Sequence, residues 1–293
     1  MGTADATISS YFNWFDLATP GMVGDNLHIL NPGATTANVT VTLPGASPIT
    51  RATAPGAETY VSFGAHHIGG PVHIASDQPV LASQRVQYYQ SFNEVVARSA
   101  ADATTTSYFN WFDRASTGMV ADNIHILNPG STASTITVKL AGATPIVFAL
   151  QAGQETYVSF PRGHIGGPVS VTSTQPVLAW QRVQFYQSFN EVASEAPGQA
   201  LAKSYVMWFD RATPGMVADN IHVFNPGTTA AAITVSLPGA SNVVFNLAAG
   251  QETYVSFPVG KIGGPLTVTS SVPVLAAQRV QYYQSFNEVP ASG

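Results

Sequence analysis

Cysteine is absent, which excludes disulfides, cysteine-ligated zinc and thiol chemistry and leaves the redox compartment open. Charge is scarce: Asp, Glu, Lys and Arg make up 9% of the residues, against roughly 25% in an average soluble protein. Solubility therefore falls to hydroxyls and amides. No basic stripe or Lys/Arg cluster occurs, so the electrostatic footprint of nucleic-acid binding is missing and nothing would draw the chain to an anionic membrane. No apolar run is long enough to cross a bilayer as a helix, and no charged segment leads into an apolar one as in a signal peptide. The start at Met1-Gly2-Thr3 reads as cut from something longer, so native targeting is not legible. A Gly-Lys-Ser/Thr phosphate loop, a Gly-x-Ser-x-Gly elbow and a His-Glu-x-x-His helix are all missing.

What is present is repetition. The stretch from Gln181 to Val192, reading QRVQFYQSFNEV, recurs from Gln84 and from Gln278. Trp14, Trp111 and Trp208 stand 97 residues apart, as do Asp25, Asp122 and Asp219, with no insertion between copies. One module is therefore written three times, over residues 1–98, 99–198 and 199–293, each long enough to bury its own core. Every copy retains two Asp, two Glu and one Arg (Asp16, Asp25, Glu58, Glu94 and Arg85 in the first), so the repeat itself is acidic, and the whole chain carries a formal charge of -5. Abundant Tyr, Phe, Trp, Val and Ile in short runs separate this composition from disorder.

In the middle module the aromatics from Thr106 to Phe112 alternate with small polar residues, with no helical period, and Asp113 to Gly118 breaks the run. Asp122, Ile124 and Ile126 then point one way while Asn123, His125 and Leu127 point the other, up to the turn Asn128-Pro129-Gly130. Ile136, Val138 and Leu140 mark a half-buried strand, and Pro145 to Gln151 completes a hairpin with it. Further strands are expected at Glu155–Phe160 and Val169–Ser173, and a last, longest one from Val177 into the repeated motif. Seven short strands per module, with frequent turn signals, predict three tandem antiparallel β-sandwiches of immunoglobulin-like type. A closed pseudo-threefold β assembly is the alternative. The stretch Ala193–Lys203, with Pro197 and Gly198, reads as a short linker between beads.

The series Trp-Phe-Asp, Asn-Pro-Gly, Ile-Gly-Gly-Pro-Val, Pro-Val-Leu-Ala-x-Gln-Arg-Val and Ser-Phe-Asn-Glu-Val resembles tandem modules of about this length in secreted or cell-wall proteins of Gram-positive-type and filamentous soil bacteria. The resemblance covers the whole chain, three times. It implies an extracellular or cell-surface location and a modular build, and it brings no catalytic residues with it.

The residues most able to carry chemistry gather around the repeated motif. They are Arg85, Glu94, Tyr89, Asn93 and Trp14 in the first module, and Arg182, Glu191, Tyr186, Asn190 and Trp111 in the second. Arg279, Glu288, Tyr283, Asn287 and Trp208 follow in the third. Aromatic faces beside amides, a carboxylate and a guanidinium suit a sugar ligand. The structural alternative is that Arg182 pairs with Asp113, Asp122 or Glu191 and contacts backbone carbonyls, tying strands together at the edge of the core. His28, His125 and His222 are the histidines retained in every copy, too few for a zinc site within one module. His66, His67 and His73 suit only an adventitious metal in the first module. Asp16, Asp25, Glu58 and Glu94 supply carboxyls for a glycosidase-like acid pair if the fold brings two of them into one cleft.

The expectation is thus a non-enzymatic extracellular structural or adhesive array, a surface spacer or stalk that needs no cofactor or metal. A multivalent carbohydrate-binding protein is the alternative. The expected partners are a cell-wall or other polysaccharide, or further copies of the chain itself. Nucleic acid and membrane insertion are not expected.

Overall fold

A computed structural model describes residues 2–293. The first module contains β1 (Thr7–Phe12), β2 (Phe15–Asp16), β3 (Met22–Leu30), β4 (Ala37–Thr42), β5 (Ile49–Thr53), β6 (Glu58–Val61), β7 (Ile68–Gly69), β8 (Val72–Tyr88) and β9 (Ser91–Val96). The same nine strands return in the second module, from Thr104–Phe109 to Ser188–Ala193, and in the third, from Leu201–Val206 to Ser285–Pro290. The protein is all-β, and its strands pair antiparallel throughout.

The long β8 is the spine of each module. Its first half pairs with β1 and β4, and its second half pairs with β3 and β9. One strand therefore joins two four-stranded layers, β1-β8-β4-β5 and β6-β3-β8-β9. Between them lies the core, built from inward positions such as Phe12, Phe15, Leu27, Ile29, Val39, Val41 and Ile74. In β4 the buried residues alternate strictly with more exposed ones, as the period of a strand requires. Equivalent cores fill the other two modules.

Nine strands replace the seven expected, for three reasons. Val169–Ser173 and the strand beginning at Val177 are one continuous element, Val169–Phe185. Pro176 sits where pairing passes from one layer to the other, a place where a missing N–H costs no ladder bond. The repeated motif is not a single strand but a hairpin: Phe185 and Ser188 pair across Tyr186-Gln187, and Tyr186 takes φ 49°. A non-glycine residue in the left-handed region replaces the usual Asn-Gly signal. Finally, Phe112–Asp113 and Ile165–Gly166 form a two-residue ladder too short to show in a pattern.

The stretch Ala193–Lys203 differs from a free linker. Tyr108 and Glu195 exchange two backbone hydrogen bonds of 2.8 and 2.9 Å, Pro197–Gln199 makes a 3-10 turn, and the next strand starts at Leu201.

Candidate functional site: the junction between modules

Each module presents a loop to the module that follows. Gln84 Nε2 donates to the carbonyl of Trp14 at 2.8 Å and to Asp25 Oδ1 at 2.6 Å, while Asp25 Oδ2 accepts the N–H of Asp16 at 2.8 Å. Asp16 in turn caps the turn after it, accepting from the N–H groups of Ala18 and Thr19. The clamp recurs as Gln181, Asp122 and Trp111, and as Gln278, Asp219 and Trp208. Its work is to fix the backbone on which the tryptophan stands.

The next module receives that tryptophan on the outer face of its β6-β3-β8-β9 layer. Trp14 lies 5.3 Å from the ring of His125 and meets Tyr157 edge-on at 5.7 Å. Trp111 meets His222 and Tyr254 at 5.0 and 5.7 Å. Tyr108 packs on Phe224 at 4.6 Å, and Tyr11 packs on the buried trio Leu127, Leu178 and Trp180. Polar bonds cross the same seam: Asn190 Nδ2 donates to Asn287 Oδ1 at 2.6 Å, and the N–H of Glu191 donates to Asn93 Oδ1 at 3.2 Å. Arg98 Nη1 reaches the carbonyl of Ser194 at 3.0 Å.

Surface area shows how tight the seam is. Three separate modules of a third of this mass would expose about 16,000 Å² by the usual scaling, whereas the chain exposes 12779 Å². Each junction therefore removes roughly 1,600 Å², the size of a standard stable protein interface. The modules are packed together rather than strung as beads.

Burial in the seam sets the electrostatics. Arg182 Nε lies 3.1 Å from Glu191 Oε2, its cross-strand neighbour, and Arg279 holds Glu288 in the same way at 3.3 Å. Burial pushes the Glu191 carboxyl up to about 7, and the Arg182 charge and Asn13 of the preceding module oppose that rise. Asp25 and Asp122 are also raised to about 7 by burial, each partly offset by its Gln clamp. Glu155 and Glu252 rise to about 8 by burial, while burial and the adjacent Arg charge hold His125 and His222 well below 6.5. At the second junction Glu195 is raised to about 7 by burial, with Glu288 adding like-charge repulsion.

The structure rearranges the sequence-derived cluster. Trp111 does not join Arg182 and Tyr186 of its own module. Instead Trp14 shares a cavity with Arg182 and Phe189, and Trp111 shares one with Arg279 and Phe286. Of the three carboxylates considered for Arg182, Glu191 is its ion-pair partner. Asp122 serves the Gln181 clamp, and Asp113 caps a turn. The expected carbonyl contacts of Arg182 are replaced by stacking on Phe189 at 4.9 Å, and its Nη1 is buried without a hydrogen-bond partner. Tyr89, Tyr186 and Tyr283 are turn residues that lie over Gly21, Gly118 and Gly215. A Cβ on Gly118 would come within 2.1 Å of the Tyr186 ring.

The four carboxylates considered for an acid pair separate onto two faces. Asp16 lies in the presenting loop and Asp25, buried on β3, holds that loop by accepting the Asp16 N–H, whereas Glu58 bonds His28 and Glu94 accepts from Ser83 on the receiving face. His73 hydrogen-bonds Ser9 and stacks on Tyr11, and among the described residues no group of three His, Cys, Asp or Glu is placed to hold a metal. Sequence reasoning missed Tyr11, Tyr108, Asn13 and Phe189 as junction residues, although Tyr11, Tyr108 and Phe189 belong to the 97-residue repeat. A concavity of about 1060 Å³ runs along the last strands of all three modules and is lined by Glu94, Glu191, Glu195, Glu288, Arg98 and Trp180 among others.

No family model matches the chain, and no curated protein matches it in sequence.

Proposed function

We propose that the chain is a non-enzymatic structural repeat protein, a stiff spacer of β-sandwich modules that acts at a cell surface or outside the cell. One observation carries this reading: the tryptophan repeated every 97 positions meets the repeated His and Tyr of the next module across each seam, and the repeated Arg–Glu pair of that next module is buried beneath the contact. Residues engaged in this way hold reach and shape. The charge-poor, hydroxyl-rich, cysteine-free composition supports the location.

A second reading, a polysaccharide-binding array, draws support from the long groove with its raised carboxylates, because perturbed acids in a cleft are a common mark of a binding or catalytic site. Glycan-array binding of the intact chain separates the two. The spacer reading expects no polysaccharide, cell-wall glycans included, to bind above the level of an unrelated protein. Binding that disappears in Glu195→Gln would overturn it in favour of the groove.

A further inference from the structure

The chain has one presenting face and one receiving face left over. On the first module Leu30 is 37% exposed, where the equivalent Leu127 and Phe224 are buried at 0% and 2%, and Phe92 is 55% exposed against 3% for Phe189. There the His28–Glu58 pair, at 2.6 Å, stands in solvent. At the other end Trp208 is 56% exposed, yet Gln278 Nε2 donates to its carbonyl and to Asp219 Oδ1 at 2.8 Å, and the backbone N–H of Asp210 donates to Asp219 Oδ2 at 2.8 Å. The loop is held as it is in the two occupied junctions before anything covers it.

We propose that these two faces join between molecules: Trp208 of one copy seats on the His28, Tyr60 and Leu30 face of a second copy, and the chain grows into an open head-to-tail filament. The inference deepens the structural reading above by naming the partner. Its argument is continuity, because the same contact is already made twice within the chain, with matching ring distances and matching clamps. The contact joins two different patches, and such an interface either closes a ring or runs on indefinitely. Within one chain it closes nothing, since both end faces stay open.

Residues that break the repeat fit this junction. Asn13 and Asn110 give way to Met207 on the free presenting face, so the acid opposite would lose an amide neighbour such as the one Asn13 gives Glu191. On the free receiving face that acid is Glu94, and Ser83, in the place held by Trp180 and Ala277, donates to it at 2.8 Å from within its own module. Ser292 replaces Glu195, which removes the like-charge pair found at the second junction.

The test uses the whole chain and two exposed-face variants, Trp208→Ala and Phe92→Ser, neither of which touches a module core. Sedimentation and light scattering against concentration should show the wild-type mass climbing continuously above 30.8 kDa, with filaments visible by negative stain. Either variant alone should lose growth while keeping the wild-type melting temperature. An equal mixture of the two should stop at two copies, because only the Trp208 of one and the receiving face of the other remain intact. A wild type that stays at single-chain mass, that stops at a fixed oligomer, or that associates no better than the variants would overturn the proposal. A monomer that binds no polysaccharide sinks the filament and leaves the spacer, whereas a filament that binds one does the reverse.

Discussion

Arg85, Arg182 and Arg279 occupy one register position, opposite Glu94, Glu191 and Glu288 on the neighbouring strand, but they do not occupy one environment. The second and third pairs are sealed by the preceding module, while the first stands exposed. A buried guanidinium is tolerated because its carboxylate lies within 3.1 Å, and removing one partner leaves the other without compensation. Glu191 can relieve itself by taking up a proton, since burial already places its carboxyl at about 7, and this limits the damage. Arg182→Met should therefore destabilise the chain by about 2 to 3 kcal/mol at neutral pH. Arg85→Met, the same substitution on the open face, should cost less than about 0.5 kcal/mol. Denaturant unfolding of both variants is the check, and equal losses would contradict the account.

At the scale of elements, β3 and β6 of the second and third modules bring a His and a Glu together at 2.8 Å under the cover of the preceding module. The unfolded pair holds one proton between the carboxylate value of 4.5 and the imidazole value of 6.5, and the native pair, with Glu155 raised to about 8 and His125 held low, also holds one. Above 6.5 the unfolded His releases its proton while the native Glu retains one to about 8, so stability falls across that interval. Below 4.5 the unfolded pair takes up a second proton, which burial of His125 makes the native pair resist, so stability also falls with acid. Asp25, Asp122, Glu191 and Glu195, all raised to about 7 by burial, add a decline from their unfolded values near 4 up to 7. The melting temperature should accordingly peak near pH 4 to 5 and drop steadily toward pH 8.5; a rise over that range would refute the assignment. The alternation along β3 and β4 was legible because each strand has one face in the core. The hairpin at Tyr186-Gln187 was not, because its left-handed residue is a tyrosine held by Gly118 on a distant loop.

For the whole molecule, the repeat that made the modules legible also hid the site. When every module carries the same Trp, His, Tyr, Arg and Glu, a contact within one module and a contact with the next module leave the same pattern in the sequence. The choice between them rests on a docking geometry that no local period encodes. The remaining signal was in departures from the repeat, such as Trp180 where the first module has Ser83 and Met207 where the others have Asn, which grade the modules from open end to buried middle. Whether consecutive modules are energetically joined through these seams is decided by a double-mutant cycle across the second one. Tyr108 belongs to one module and Phe224 to the next, with their rings 4.6 Å apart. Unfolding free energies of Tyr108→Ala, Phe224→Ala and the double variant should give a coupling of about 0.5 to 1.5 kcal/mol. Effects that add to within about 0.3 kcal/mol would mean that the modules behave as independent beads and would contradict the account.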